Sequence, residues 1–199
     1  MSPNSPDMNY FNFQSSVEPK KGDLLISEPF LPDPNFERTV VLLCEHNEEG
    51  SFGFVLNRPS LLKYSDVIDG ADDFNVSLFI GGPVQQDTLH FIHRAGDLIE
   101  GSVEICPGVF WGGNYEQVQS LIDTKQINPN DFKFFIGYSG WGSGQLEMEM
   151  KEKTWIVSNV ANSIQIFDMD PEKLWKLALK NMGGKYKMIA NYPIDPRLN

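Results

Sequence analysis

Cysteine is nearly absent from the chain, with only Cys44 and Cys106 among 199 residues. Two cysteines cannot build the disulfide framework of a small secreted scaffold, and they fall short of a structural zinc site. Histidine is as scarce, at three residues. Basic residues are outnumbered, 16 against 27 acidic, for a net charge of −11. A surface of that sign repels phosphate backbones, and no helix-turn-helix pattern or basic stripe offsets it, so direct nucleic-acid binding is disfavoured. No apolar run approaches the ~20 residues needed to cross a bilayer. Residues 1–7 lack the basic and apolar regions of a signal peptide. A cytoplasmic protein without membrane association is the expectation.

What is present is a hydrophobic fraction of 41%, with 14 Phe and 4 Trp. That excludes disordered and low-complexity classes and supports a folded domain with a sizeable core. Residues 1–21 are polar and irregular and read as a flexible leader, with Tyr10, Phe11 and Phe13 docking on the body. Residues 22–199 read as one domain. Residues 39–46 form the strongest strand signal, apolar at successive positions and therefore covered on both faces. Residues 51–57 return as a second strand, and Pro59 ends it. A hairpin register pairing His46 with Ser51 also pairs Glu45 with Phe52, Cys44 with Gly53, Leu42 with Val55 and Val40 with Asn57. Further strands are expected at 24–27, 76–80, 88–93, 102–105, 132–138 and 154–158. Helices are expected from Asn114, which forms a capping box with Gln117, over 145–152, and after Asp170 and Pro171 until Gly183 and Gly184 stop the last one. A Gly-rich loop is expected over 139–144.

Several groupings of residues suggest chemistry. Gly137-Tyr138-Ser139-Gly140-Trp141 lacks the final glycine that a nucleophile elbow needs, and Ser143 stands where a phosphate loop needs lysine. His90 and His93 are three apart on a strand and point to opposite faces, so one metal cannot take both. Cys44 and His46 share a strand face, but a reduced core thiol beside a rim imidazole is the plainer reading. No metal or cofactor is expected. Arg38, Asn57 and Arg58 gather at one end of the hairpin, where two guanidinium groups suit a carboxylate or phosphate, unless Asp33 or Glu37 pairs with them. Glu45 and His46 lie at the other end, about 20 Å away.

The residues also carry a resemblance. Leu24-Leu25-Ile26-Ser27-Glu28-Pro29, with Asp33-Pro34, Phe36 and Arg38, resembles the opening of the YqgE/AlgH family. Val40-Val41-Leu42-Leu43-Cys44-Glu45-His46-Asn47 is similar to its most recognisable motif, and Gly53-Phe54-Val55-Leu56-Asn57-Arg58-Pro59 follows as that family would have it. Gly81-Gly82-Pro83-Val84, Leu89-His90-Phe91-Ile92-His93 and the run from Gly137 through Glu147 match as well. The likeness covers residues 22–199, with Ser143 departing from a proline. It implies an α+β fold with a complex mixed sheet, branched and partly closed into a small barrel, flanked by helices. It implies bacterial cytosolic proteins of undefined function, one branch of which carries the label of a transcriptional regulator of alginate production. It supplies no catalytic set.

The expectation from these readings is a non-enzymatic regulatory protein. It would bind a protein partner or a small anionic ligand through Arg38, Asn57, Arg58, Ser139 and Trp141. The alternatives are a hydrolase using Glu45 or His46 as base, and a direct DNA-binding regulator.

Overall fold

The computed structural model describes residues 17–71, 74–159 and 161–193. Tyr10, Phe11 and Phe13 lie outside these residues. Ten strands form one sheet: β1 (Leu24–Ser27), β2 (Val40–Asn47), β3 (Gly50–Val55), β4 (Pro59–Lys63), β5 (Ser77–Ile80), β6 (Val84–His93), β7 (Val103–Cys106), β8 (Val109–Trp111), β9 (Phe132–Gly142) and β10 (Trp155–Ser158). The helices are α1 (Tyr115–Asp123), α2 (Gln145–Lys151), α3 (Pro171–Met182) and the short α4 (Tyr186–Ile189).

The sheet runs β10-β1-β2-β3-β9-β6-β8-β7, and β4 and β5 branch from it. The branch point is β9. Along one edge it pairs parallel with β5 through Phe134–Ile136 and then antiparallel with β3 through Ser139–Gly142, while β6 takes the other edge. The changeover needs backbones to cross closely. Gly137 turns with φ +65°, and a Cβ on it would lie 2.6 Å from the Val84 carbonyl. A Cβ on Gly82 would lie 2.3 Å from the Tyr138 carbonyl. These glycines let the strands cross.

The partial barrel does not form, because the end strands β10 and β7 do not pair and the sheet stays open. The sheet curls enough for Ile92, Ile105 and Val109 to join Leu24, Leu42 and Phe54 in one core. Helix α3 then supplies the wall that closure would have given, through Leu174, Trp175, Ala178 and Leu179. Asp170 caps that helix by accepting from the Glu172 N–H, Pro171 sits in its first turn, and the Trp175 indole donates to the Ser27 carbonyl at 3.0 Å. The opposite face of β1, β2, β3 and β10 is covered by α2, with Trp141, Leu146 and Trp155 in the layer between. A third cluster packs Val118 of α1 against Phe91, Phe132 and Phe134.

Four other expectations need correction. The hairpin pairs His46 with Ser51 and Glu45 with Phe52, but a bulge at Cys44 then shifts the register, so Leu43 faces Gly53 and Val41 faces Val55. An extra residue on one strand reverses the alternation beyond it. The loop expected over 139–144 is strand as far as Gly142, because β3 accepts that stretch as a ladder partner. Pro59 opens a strand instead of closing one. It sits in β4, which pairs with β5 alone and so tolerates a missing N–H on its other side. Asn114 caps α1, but the Gln117 side chain accepts from the Glu100 N–H instead of returning to the cap.

Candidate functional site

At the hairpin end the Asn57 side chain bonds the backbone of residues 38 and 40, and the guanidinium groups of Arg38 and Arg58 reach carbonyls of different segments. The Arg58 guanidinium donates to the carbonyls of Asn35 (2.8 Å) and Pro34 (2.9 Å). Arg38 donates through Nη2 to the carbonyls of Tyr192 (2.8 Å) and Pro193, and its guanidinium lies 4.6 Å from the centre of the Trp175 ring. Asn57 accepts from the Val40 N–H and donates to the Arg38 carbonyl. Neither guanidinium forms an ion pair with Asp33 or Glu37, although the Glu37 charge favours the charged form of Arg38. A planar fork reaches adjacent carbonyls equally well, and here it fastens the 33–38 turn and residues 192–193 to the sheet.

Ser139 is fully buried and donates to the Gly81 carbonyl at 3.0 Å. Trp141 lies on the same face of β9, stacked near Phe36 and edge-on to Trp155. The Glu149 carboxylate of α2 accepts from both indoles, at 2.9 Å from Trp141 and 2.7 Å from Trp155. Trp141 thus packs on the α2 face, which Ser51 and His46 share, against Phe36 of the turn that Arg58 holds, and it also borders the neighbourhood of Glu45 and Gly140.

That neighbourhood is a cleft of about 580 Å³ between β2, β3, β6, β8 and β9, within the size range of small-molecule sites. Strand pairing explains its lining. Phe52 and Gly140 are ladder partners, so their side of the sheet also presents Phe54 and Tyr138, two residues along each strand. Phe52 is the hub, with its ring centre 4.8 Å from Trp111, 6.0 Å from Phe54 and 6.2 Å from Tyr138. The His90 ring closes the wall, 5.5 Å from Phe54 and 5.7 Å from Tyr138. Its Nε2 lies 2.8 Å from the Thr88 hydroxyl, and burial pushes the imidazole below its ordinary pKa, which favours the neutral ring. Glu45, Asn47 and Glu49 form the lip, where Asn47 donates to Glu45 at 2.7 Å. Among the described residues no lysine or arginine lines the cleft. A second hollow, of about 680 Å³, lies between Phe74 and the end of α1.

Glu45 and His46 point to opposite faces. Glu45 reaches the cleft, whereas the His46 Nδ1 lies 2.7 Å from the Ser51 hydroxyl and its Nε2 lies 3.9 Å from the Glu147 carboxylate of α2. Cys44 does not share a face with His46, because the bulge turns Cys44 into the core with Leu42 and Phe54. Its thiol is buried, with its pKa pushed well up by desolvation. His93 is a core residue between the Phe110 and Phe132 rings, away from the cleft that His90 lines. The sequence reading missed the ring cluster of Phe52, Trp111, Tyr138 and His90. The alternation Phe52-x-Phe54 and Tyr138-x-Gly140 was visible, but only the β3–β9 and β6–β9 pairings bring these residues together.

The AlgH-like family profile matches residues 24–187. The chain belongs to the AlgH-like family. Proteins named UPF0301 are similar to it across 90% of its length. One from Chlorobium limicola is 48% identical over 90% of this chain and 96% of its own length. Another from Cytophaga hutchinsonii is 47% identical over 90% of this chain and 98% of its own. The solution structure of AlgH from Pseudomonas aeruginosa superposes with a TM-score of 0.69 at 27% identity, covering 97% of this chain and 98% of that one. A crystal structure from Corynebacterium diphtheriae shares the fold, with a TM-score of 0.74 at 21% identity over 92% of this chain and 97% of that one. Of the segments on which the resemblance rests, 40–47, 53–59, 81–84, 89–93 and 137–147 each contribute a residue to the cleft, and 24–38 contributes none. Among the described residues no helix is long and apolar enough to cross a membrane.

Proposed function

We propose that this AlgH-like chain is a non-enzymatic binding protein with a regulatory role, and that its ligand or partner group occupies the aromatic cleft between β3, β6, β8 and β9. The observation that carries this reading is the ring cluster itself. Phe52, Trp111, Tyr138 and His90 converge on one hollow and remain half-buried, where a core would have filled the space. The arginine end offers less, because the Nη groups of Arg58 and Nη2 of Arg38 are already donating to carbonyls. The net charge of −11 weighs against regulation through direct contact with DNA.

A nuclear magnetic resonance fragment screen on the ¹⁵N-labelled chain tests the reading. Binders should shift the amides of Phe52 and Gly140 and the indole N–H of Trp111, and lose affinity at least fivefold in Trp111→Ala. Binding should persist in Arg58→Ala. Binders that map to the arginine end and vanish in Arg58→Ala would return the site to Arg38, Asn57 and Arg58.

One observation favours a second reading, a hydrolase. Ser51, His46 and Glu147 lie in a row, with the serine hydroxyl within hydrogen-bond reach of the imidazole. The 3.9 Å gap to the carboxylate is too long to orient that ring by a hydrogen bond. Turnover of an activated ester that disappears in both Ser51→Ala and His46→Gln would establish this reading.

A further inference from the structure

The geometry points to the class of ligand that the cleft takes: a small organic cation, with an ammonium or guanidinium head among the rings and the carboxylates of Glu45 and Glu49 at the lip. This rests on the reading of the cleft as the binding site and narrows it.

Three observations converge. The first is the arrangement of rings. Phe52 is tilted 60° to Trp111 and stands 84° to Tyr138, so the three are walls at steep angles instead of a flat stack. An aromatic face carries negative charge density, so a ring face in this cleft that a neighbouring ring leaves uncovered can hold a cation. That arrangement suits a compact cation, whereas a flat neutral ring is better served by parallel walls. The second is the sign of the charge. The lip carries Glu45 and Glu49, and the described lining holds no lysine or arginine. The one titratable ring on the wall, His90, is held toward its neutral form by burial. A carboxylate or phosphate entering here would meet like charges at the mouth and find no cation inside. The third is the whole-chain charge of −11, which enriches cations near the surface and speeds their capture at low salt.

The small anionic ligand inferred from Arg38 and Arg58 is thereby replaced by one of opposite sign at the other end of the hairpin. Desolvating an ammonium is costly, and the rings offset that cost without a salt bridge inside the cleft. Glu45 and Glu49 contribute long-range attraction at the solvent boundary, where ionic strength screens it.

The test compares choline with its uncharged isostere 3,3-dimethylbutan-1-ol and with succinate, each titrated into the full ¹⁵N-labelled chain. Choline is expected to shift the Trp111 indole N–H and the Phe52 and Gly140 amides, and to bind at least fivefold more tightly than the isostere. The double variant Glu45→Gln/Glu49→Gln is expected to lose much of that preference, and raising salt from 20 to 300 mM should do the same in the parent chain. Equal or tighter binding of the isostere or of succinate in the cleft overturns the cation assignment and leaves the cleft as the site. Choline without effect on these resonances also overturns it. The cleft reading itself falls only if the fragment screen also finds nothing there. Lip carboxylates are exposed, so the glutamine variants should remain folded, which the unchanged dispersion of the remaining amides will show.

Discussion

Glu149 shows how much one exposed-side carboxylate can organise. A single oxygen, Oε2, accepts from the indoles of Trp141 and Trp155, and Oε1 accepts from the Gln145 amide. Both tryptophans are buried, at 5% and 2% exposure, so little water can replace the carboxylate at their N–H groups. Removing the acceptor leaves two buried donors unsatisfied, each costing about 1–3 kcal/mol. Glu149→Ala should therefore lower unfolding stability by about 2–6 kcal/mol in urea titration. Glu149→Gln keeps a carbonyl acceptor and should lose about half as much. If both variants matched the parent, Glu149 would not be the clamp for this layer. Because Trp141 also ends the cleft, the alanine variant should broaden cleft resonances before the protein unfolds.

At the scale of elements, the sequence was informative wherever local chemistry decides. The run from Val40 to Cys44 is buried on both faces, as its unbroken apolar character required. The Asp170-Pro171 start and the Gly183 stop of α3 fall where the cap residues put them, since capping is settled within one turn. What stayed hidden depends on partners distant in the chain. Residues 139–142 look like a loop because their glycines are poor strand formers, yet β3 holds them in a ladder. β8 was unreadable inside a Gly-rich connection, because three residues (Val109–Trp111) gain strand geometry only from β6 and β7. The bulge at Cys44 left no mark in composition, although it decides that Cys44 enters the core and Glu45 the cleft. The candidate site suffered most from this. Its rings come from four strands, and Arg58, the more conspicuous residue by chemistry, turned out to donate to nearby carbonyls.

For the whole molecule, the buried histidines tie stability to pH. His93 is fully buried; its Nδ1 accepts from the Ala95 N–H at 3.2 Å, and its Nε2 faces the Gly112 carbonyl at 3.0 Å. That pattern fixes the Nε2–H tautomer. A second proton on Nδ1 would displace the Ala95 donor inside a box made by Phe110 and Phe132. Burial accordingly lowers the folded-state pKa of His93, and of His90 as well. The sign follows from which state takes the proton first. Above the ordinary histidine value of about 6.5 both states are neutral and nothing is lost. Below it the unfolded chain protonates while the folded ring resists, so stability falls with a limiting slope of about 1.4 kcal/mol per pH unit for each proton. The loss levels off once the folded ring is also protonated. Asp23 and Glu28, whose pKa values burial raises, act in the opposite direction as the pH falls further. The clean measurement is therefore a difference, parent minus His93→Gln, with stability followed by urea unfolding from pH 7.5 to 5. The glutamine amide can still donate to the Gly112 carbonyl but does not titrate, so the parent should lose stability relative to the variant steadily below pH 6.5. A difference that stays constant across that range would mean that His93 accommodates its second proton, and that the ring box does not set the acid limit of this fold.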